Sequence, residues 1–404
     1  MRPKRVLRSF AFFLSACAAY CQSPAVFSQI DEMLKGLSQI TGWKVRRKVP
    51  AQVLRKDDFR RYVDKHMKDA AGDKEIQAQE ITLKMFGFVP PEFNLARESA
   101  DLVTEQAAAF YDYTKRRLFL LDSTSDSSEQ RIAMAHELAH ALADQQYPLG
   151  KFMHGAQNDD DAATARQAVV EGQASWLSWA YLSLRNGGRP EVPERMLEQL
   201  TQVGAEGNDF PVFTTAPLYI RESLVFPYSE GMRFQDAVFR ARGNDAFDDV
   251  FKRAPRSTQQ ILHPSLYLIG KTPEAVQAPV LPEHPAEFRV RLEGSLGEFD
   301  FSALLRQYLN ARLGAEAASH LRGGAYRLYE HKHAKYPVLA YRAVFDSAGA
   351  AQVYLALYRE VLGKKWKKLT IDSTTEDRVT GTGDTGRFLL RLDGAVVESV
   401  EGLR

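Results

Sequence analysis

From Ile132 to Leu142 the chain reads Ile-Ala-Met-Ala-His-Glu-Leu-Ala-His-Ala-Leu, with no proline, no glycine and one carboxylate, Glu137. A run of this kind favours a helix. On a helix, His136 and His140 stand about 6 Å apart along the axis and about 40° apart in projection, so both imidazoles can reach one point. The fold must therefore bring another element against the histidine face. That element either completes an ion site or hydrogen-bonds two buried histidines that hold no ion, and the run alone leaves both readings open.

The whole chain sets limits on what surrounds this helix. Its 404 residues exceed the usual size of one domain, so two or three packed units are expected. Hydrophobic residues at 45% and charged ones at 26% argue for a globular protein without long disorder. Lys plus Arg (53) nearly balances Asp plus Glu (51), so no global field would attract nucleic acid, and no nucleic-acid partner is expected. At the N-terminus, Arg2, Lys4, Arg5 and Arg8 precede an apolar run from Phe10 to Ala19, which reads as an export signal over residues 1–21. That run is too short to span a bilayer of roughly 30 Å, and no later segment approaches the necessary length. Leu14-Ser15-Ala16-Cys17 resembles a lipobox, which would leave a lipid anchor on Cys17. The small residues around Ala16 and Ala18, or the junction after Cys21, suit ordinary signal peptidase and a soluble periplasmic or extracellular product, the outcome favoured here. Both cysteines lie in or beside the leader, so internal disulfides are excluded and the mature chain relies on its core or a metal.

Residues 22–104 read as an N-terminal helical region, with amphipathic stretches at 25–40, 57–70 and 74–86, the last closed by Gly87 and Pro90-Pro91. Residues 105–272 form the expected core. A hairpin is predicted from Ala107–Tyr113 and Arg117–Leu121 across Thr114, Lys115 and Arg116. Asp126 and Glu129 then make a variant capping box for the motif helix, which runs to about Gln146. After a Gly- and Asp-bearing loop, a second long helix spans 162–184 and stops at Asn186-Gly187-Gly188; more helices are expected at 194–203, 228–242 and 245–253. Pro273 to Pro285 looks like a linker or a surface excursion. Residues 286–404 read as an α+β region, helical at 296–313, 315–321 and 348–362, with strands at 338–345, 378–381 and 387–400. The fold class expected is mainly α with α+β parts.

Zinc, the metal best suited to paired imidazoles of this kind, takes three protein ligands and keeps a fourth position open. His154 sits in a Gly-bearing loop with nothing to fix its angle, and Asp144 lies one turn beyond His140, too far along to join both imidazoles on one ion. Glu171, 31 residues after His140 and inside the second long helix, is the better third ligand. Its helical neighbours Gln167, Ala168, Ala174 and Ser175 are mostly small, which would let this helix pack close to the motif helix. Gly172 costs about 1 kcal/mol in a helix, tolerable where two backbones approach. The alternative for Glu171 is pairing with Arg166 or simple solvation. Glu137, one step round the motif helix, is placed beside a metal-bound water rather than on the metal.

His136-Glu137-Leu138-Ala139-His140, followed by Val169-Val170-Glu171-Gly172-Gln173-Ala174, resembles the gluzincin pattern of zinc metallopeptidases, in particular peptidase MA-like proteins. A histidine at position 146 would mark a metzincin instead, but Gln146 stands there. Tyr228-Ser229-Glu230-Gly231-Met232-Arg233-Phe234 is similar to a later helix of such proteins, and the likeness covers roughly residues 105–270. The resemblance implies a zincin-like core with one Zn2+ held by His136, His140 and Glu171, with Glu137 as general base and proton shuttle. The substrate would be a peptide or protein. Tyr228 is the candidate for oxyanion stabilisation, with His263 in reserve. One departure matters: where the thermolysin-like branch places an Asp to orient a histidine, this chain has Ser175, so the orienting group is expected to come from elsewhere. An outer hairpin strand, if exposed, would accept an extended substrate by backbone pairing. Two other readings stand beside the peptidase: an inactive zincin-fold binding or scaffold protein, and a zinc hydrolase of a non-peptide amide. Trp176 and Trp179 are expected to be core anchors, His331 and His333 a solvated turn, and Lys364, Lys365, Lys367 and Lys368 a wet helix end.

Overall fold

The two strands expected before the motif helix form, and they take a third from further upstream. The computed structural model describes residues 25–70, 72–122, 128–156, 159–200, 210–281 and 284–404; the leader with Cys17, and Asp126 of the capping pair, lie outside them. Helix accounts for 55% and strand for 20%, a mixed α/β chain with two separate sheets. Among the described residues no helix is long and apolar enough to cross a membrane.

The first sheet is small. Strand β1 (Ala51–Leu54) runs parallel to β3 (Arg117–Leu121), and β2 (Ala109–Asp112) pairs antiparallel with β3, Tyr111 opposite Leu118. Arg117–Leu121 is therefore the central strand, not an outer one; β2 is the outer strand, and three of its four residues are buried. The fully buried Asp112 closes the hairpin, its Oδ1 accepting from the backbone N–H groups of Thr114 and Lys115, while Arg116 takes a left-handed φ of 55°. Successive strand residues face opposite ways. Phe110 stacks on Phe59, Tyr62 and Phe119, whereas Tyr111 points at the motif helix, Ser128–Gln146. The sequence reading missed both β1 and the helix Leu95–Gln106, whose N-cap Asn94 accepts from the Arg97 N–H. Four residues of AQVL are too few to reveal a period, and their partner is distant in sequence.

Two further helices complete the core. The glutamate helix, Asp160–Arg185, packs against the motif helix, and the tyrosine helix, Leu218–Arg242, crosses the glutamate helix. The latter begins ten residues before Tyr228. Pro227 reads as a helix breaker in sequence, yet here it lies buried within the helix, where packing offsets the one N–H it cannot donate. Gly172 meets Gly231 at the crossing: a Cβ on either would collide with backbone atoms of the other helix. Close approach is thus with the tyrosine helix. Trp176 is fully buried as a core anchor, its Nε1 donating to Asp236 at 2.9 Å.

The C-terminal region is a seven-stranded antiparallel sheet in the order β4-β5-β6-β10-β9-β8-β7: β4 (Phe288–Leu296), β5 (Leu321–His331), β6 (Pro337–Phe345), β7 (Thr370–Thr374), β8 (Arg378–Gly383), β9 (Gly386–Asp393) and β10 (Val396–Leu403). Helix Ala348–Lys365 covers one face. The proline-rich stretch crosses the other, its Pro279 and Gln277 carbonyls accepting from Tyr329 and Arg342 over a small cluster of Leu281, Phe288, Val338 and Val400. Three expectations fail here. Residues 387–400 form two strands, because Gly394-Ala395 make a tight turn between the paired Asp393 and Val396, with Gly394 at φ 56°. Leu321 begins a long strand that tolerates Gly323-Gly324. Lys365 is not a wet helix end: it is 2% exposed and donates to Glu401 at 2.7 Å and to the Met85 carbonyl at 2.9 Å.

This region and the short helix Thr258–Leu262 together grip the glutamate helix by its N-terminus. Asp159 caps that helix through the Ala162 N–H and accepts from the Ser295 hydroxyl at 2.7 Å. Asp161 accepts from the Thr258 N–H at 2.8 Å, and Gly297 leaves the space its carboxylate occupies. Burial pushes the Asp161 carboxyl up to about 7, against the Thr258 hydrogen bonds and with Asp300 and Asp159 adding to it. Below the ordinary value of 3.8 both folded and unfolded chains hold this proton, and between 3.8 and about 7 only the folded chain does. The stability this group contributes is therefore lost as pH rises through that window.

Two predictions result. Gly231→Ala should cost about 2–3 kcal/mol in urea unfolding, because the obstacle is backbone, whereas Gly349→Ala, with open space around it in the first turn of its helix, should be neutral or gain up to about 1 kcal/mol. Asp161→Asn should gain stability relative to wild type progressively from pH 4 to pH 7; a difference that stays constant with pH would show that Asp161 ionises as it does in water.

Candidate metal centre

Two helices supply the polar cluster. His136 and His140 project from one face of the motif helix, and Glu171 projects towards them from the glutamate helix. The two Nε2 atoms are 3.0 Å apart, and Oε2 of Glu171 lies 3.1 Å from the first and 3.2 Å from the second. The imidazole planes are nearly perpendicular, at 86°. These three atoms form an almost equilateral triangle. Zinc bonds of about 2.0–2.1 Å at tetrahedral angles separate ligand atoms by about 3.3 Å, so the triangle need open by only a few tenths of an ångström to seat such an ion. His136, His140 and Glu171 are the residues that could hold it.

The alternatives weighed for Glu171 and for the third ligand are occupied elsewhere. Arg166 donates to the Phe152 carbonyl, and its guanidinium lies 4.9 Å over the Phe152 ring. Asp144 accepts from Arg47, Tyr111 and the Leu149 N–H. His154 ends a short helix, exposed to solvent. Burial would raise the Glu171 carboxyl, but the His140 charge and the hydrogen bonds from both imidazoles outweigh it and hold Glu171 well below the usual carboxylate range. The group stays an anion.

Glu137 lies close to the triangle: its carboxylate and both imidazoles present atoms within 4.8 Å of one another, so His136, Glu137 and His140 are a second set of three donors that could hold an ion. Its Oε2 accepts from the Tyr111 N–H at 2.7 Å, a tie from strand β2 to the motif helix. Burial pushes this carboxyl up to about 7; His136 and the Tyr111 N–H oppose the shift, and Glu171 adds to it.

Tyr228 arrives from the tyrosine helix. Its ring stacks on His136 with centroids 5.7 Å apart and planes 28° from parallel. Surrounding protein, then the charges of Glu171 and Glu137 and a hydrogen bond donated to Glu171, hold its hydroxyl well above the ordinary tyrosine value. The residue as a whole is 46% exposed. His263 is engaged elsewhere, 2.8 Å from Glu298, and is not part of the cluster.

Two participants escaped the sequence reading. Ser175 was noted for the acid it replaces; its hydroxyl lies 3.5 Å from His136 Nδ1, a long contact from the position an orienting group would take. Tyr111 contributes a backbone N–H, which no side-chain pattern can announce. No protein-family model, curated protein or solved structure matches the chain.

Proposed function

We propose that the protein is an exported zinc-dependent peptidase with a zincin-like core. The observation that carries this reading is the triangle of two imidazole nitrogens and one carboxylate oxygen, 3.0–3.2 Å on a side, with a second carboxylate, that of Glu137, within 4.8 Å of both imidazoles. A hydrogen-bonded trio with a purely structural role gives no account of that second carboxylate, nor of a tyrosine stacked on the same histidine. The N-terminal basic and apolar run supports export.

Zinc, when bound, supplies a Lewis acid that polarises a carbonyl and lowers the pKa of a water to about 7. The remaining work belongs to the chain. Glu137 takes a proton from the attacking water and returns it to the leaving amine. Tyr228 donates its hydroxyl hydrogen to the oxyanion, a role suited to a phenol that remains protonated. Ser175 restrains the His136 ring through Nδ1.

The direct test compares wild type with Glu137→Gln on a denatured protein mixture, mapping new termini by mass spectrometry. Both should bind one zinc, and the variant should cut at least about 100-fold more slowly; equal cutting would remove Glu137 from the chemistry. A second test needs no substrate. Zinc at 100 times its dissociation constant should raise the unfolding free energy of wild type and of Glu137→Gln by about 2.7 kcal/mol, and should leave Glu171→Ala and His140→Ala nearly unchanged. An equal rise in all four proteins would mean that the metal binds elsewhere.

A further inference from the structure

Tyr111 touches the motif helix at both ends. Its backbone N–H donates to Glu137 at 2.7 Å, and its hydroxyl donates to Asp144 Oδ2 at 3.1 Å. Glu137 and Asp144 are seven residues apart, two turns along one face of that helix, so the tyrosine lies along it as a splint. Asp144 is nearly buried, with 6% of its side chain exposed. Its Oδ2 also accepts from Arg47 at 2.9 Å, and its Oδ1 accepts from the Leu149 N–H at 3.1 Å. Arg47 is itself fixed in place: Gln145, the next residue of the helix, accepts from the backbone N–H groups of Arg46 and Arg47 at 2.7 and 3.0 Å.

We infer that Arg47, Asp144 and Tyr111 form a positioning device for Glu137, setting where the general base sits relative to the histidines on its own helix. The inference rests on the peptidase reading above. Its physical basis is the character of the restraint. A glutamate one step round from a ligand has three rotatable side-chain bonds, and its aim must be fixed from outside the helix. β2 supplies the N–H that does so. β2 is an outer strand of only four residues, held by its ladder on one side alone, and the Tyr111 hydroxyl ties its other side to the helix. A displacement of about 1 Å at a reacting group costs on the order of 100-fold in rate, so loss of one of the two ties is expected to cost about tenfold. Arg47 supplies the opposite charge to this nearly buried carboxylate, at 2.9 Å.

The test uses Tyr111→Phe, which keeps the ring, and Arg47→Ala, which alters a side chain that is 32% exposed, each in the full chain. Both are assayed on a quenched fluorescent peptide carrying a bond mapped in the Glu137→Gln comparison. Each should lower kcat about tenfold, with KM and zinc content unchanged, and Arg47→Lys should recover most of the loss seen in Arg47→Ala. In the Glu137→Gln background neither change should alter the residual rate, because the device acts through that carboxylate. A folded Tyr111→Phe protein with wild-type kcat, or one in which KM rises and kcat holds, overturns the inference. If Tyr111→Phe does not fold, Arg47→Ala decides on the same criteria. A Glu137→Gln protein that cuts as fast as wild type defeats the peptidase reading, whereas an inactive Glu137→Gln beside a fully active Tyr111→Phe defeats the positioning device alone.

Discussion

A carboxylate removed from water must find positive or hydrogen-donating partners, and in this protein Glu171 finds them in two imidazoles from another helix. Much of the central architecture follows from bringing those helices together. Glu171 and Gly172 are neighbours about 100° apart on the helix, so one faces the histidines while the other faces the tyrosine helix at Gly231. A side chain at either glycine would push the two backbones apart, and with them Tyr228 from His136. The small residues and the charged ones on the glutamate helix thus serve one geometry.

The rest of the chain fixes that geometry from two directions. From the N-terminal side, a three-stranded sheet lies on the motif helix and offers Glu137 a backbone donor. From the C-terminal side, Ser295 and Gly297, together with Thr258 of the core, receive Asp159 and Asp161 at the start of the glutamate helix. A buried Lys365–Glu401 pair reaches back to the Met85 carbonyl, tying the seven-stranded sheet to the helix Asp73–Phe86. One hydrophobic cluster runs from Ile30 to Val397, so these supports share a core.

What the sequence displayed and what it hid divide along physical lines. His136 and His140 were legible because helical spacing converts four residues into one face, and Glu171 because an acid among small residues implies a partner. The hairpin before the motif helix was legible from its aromatic strands. The tyrosine helix was expected only from residue 228, yet it runs from Leu218 through Pro227, a local cost that packing offsets, and the helix expected to reach residue 321 stops at Ser319, because Leu321 opens a strand whose partners lie far away in sequence. Lys365 was read from its charged neighbours, but burial is decided by contacts that lie far away in sequence. Asp393-Gly394 carried a turn signal and was passed over. The Tyr111 contribution to Glu137 had no signal at all, since every residue except proline owns a backbone N–H.

Everything functional depends on the three donor atoms sharing one metal ion. X-ray absorption at the zinc edge on the zinc-loaded protein measures this directly. The account predicts one ion with two imidazole nitrogens and one carboxylate oxygen at about 2.0–2.1 Å and a further light-atom ligand from solvent, with the carboxylate contribution lost in Glu171→Ala. A spectrum unchanged by that substitution, or a protein that retains no zinc, would contradict it.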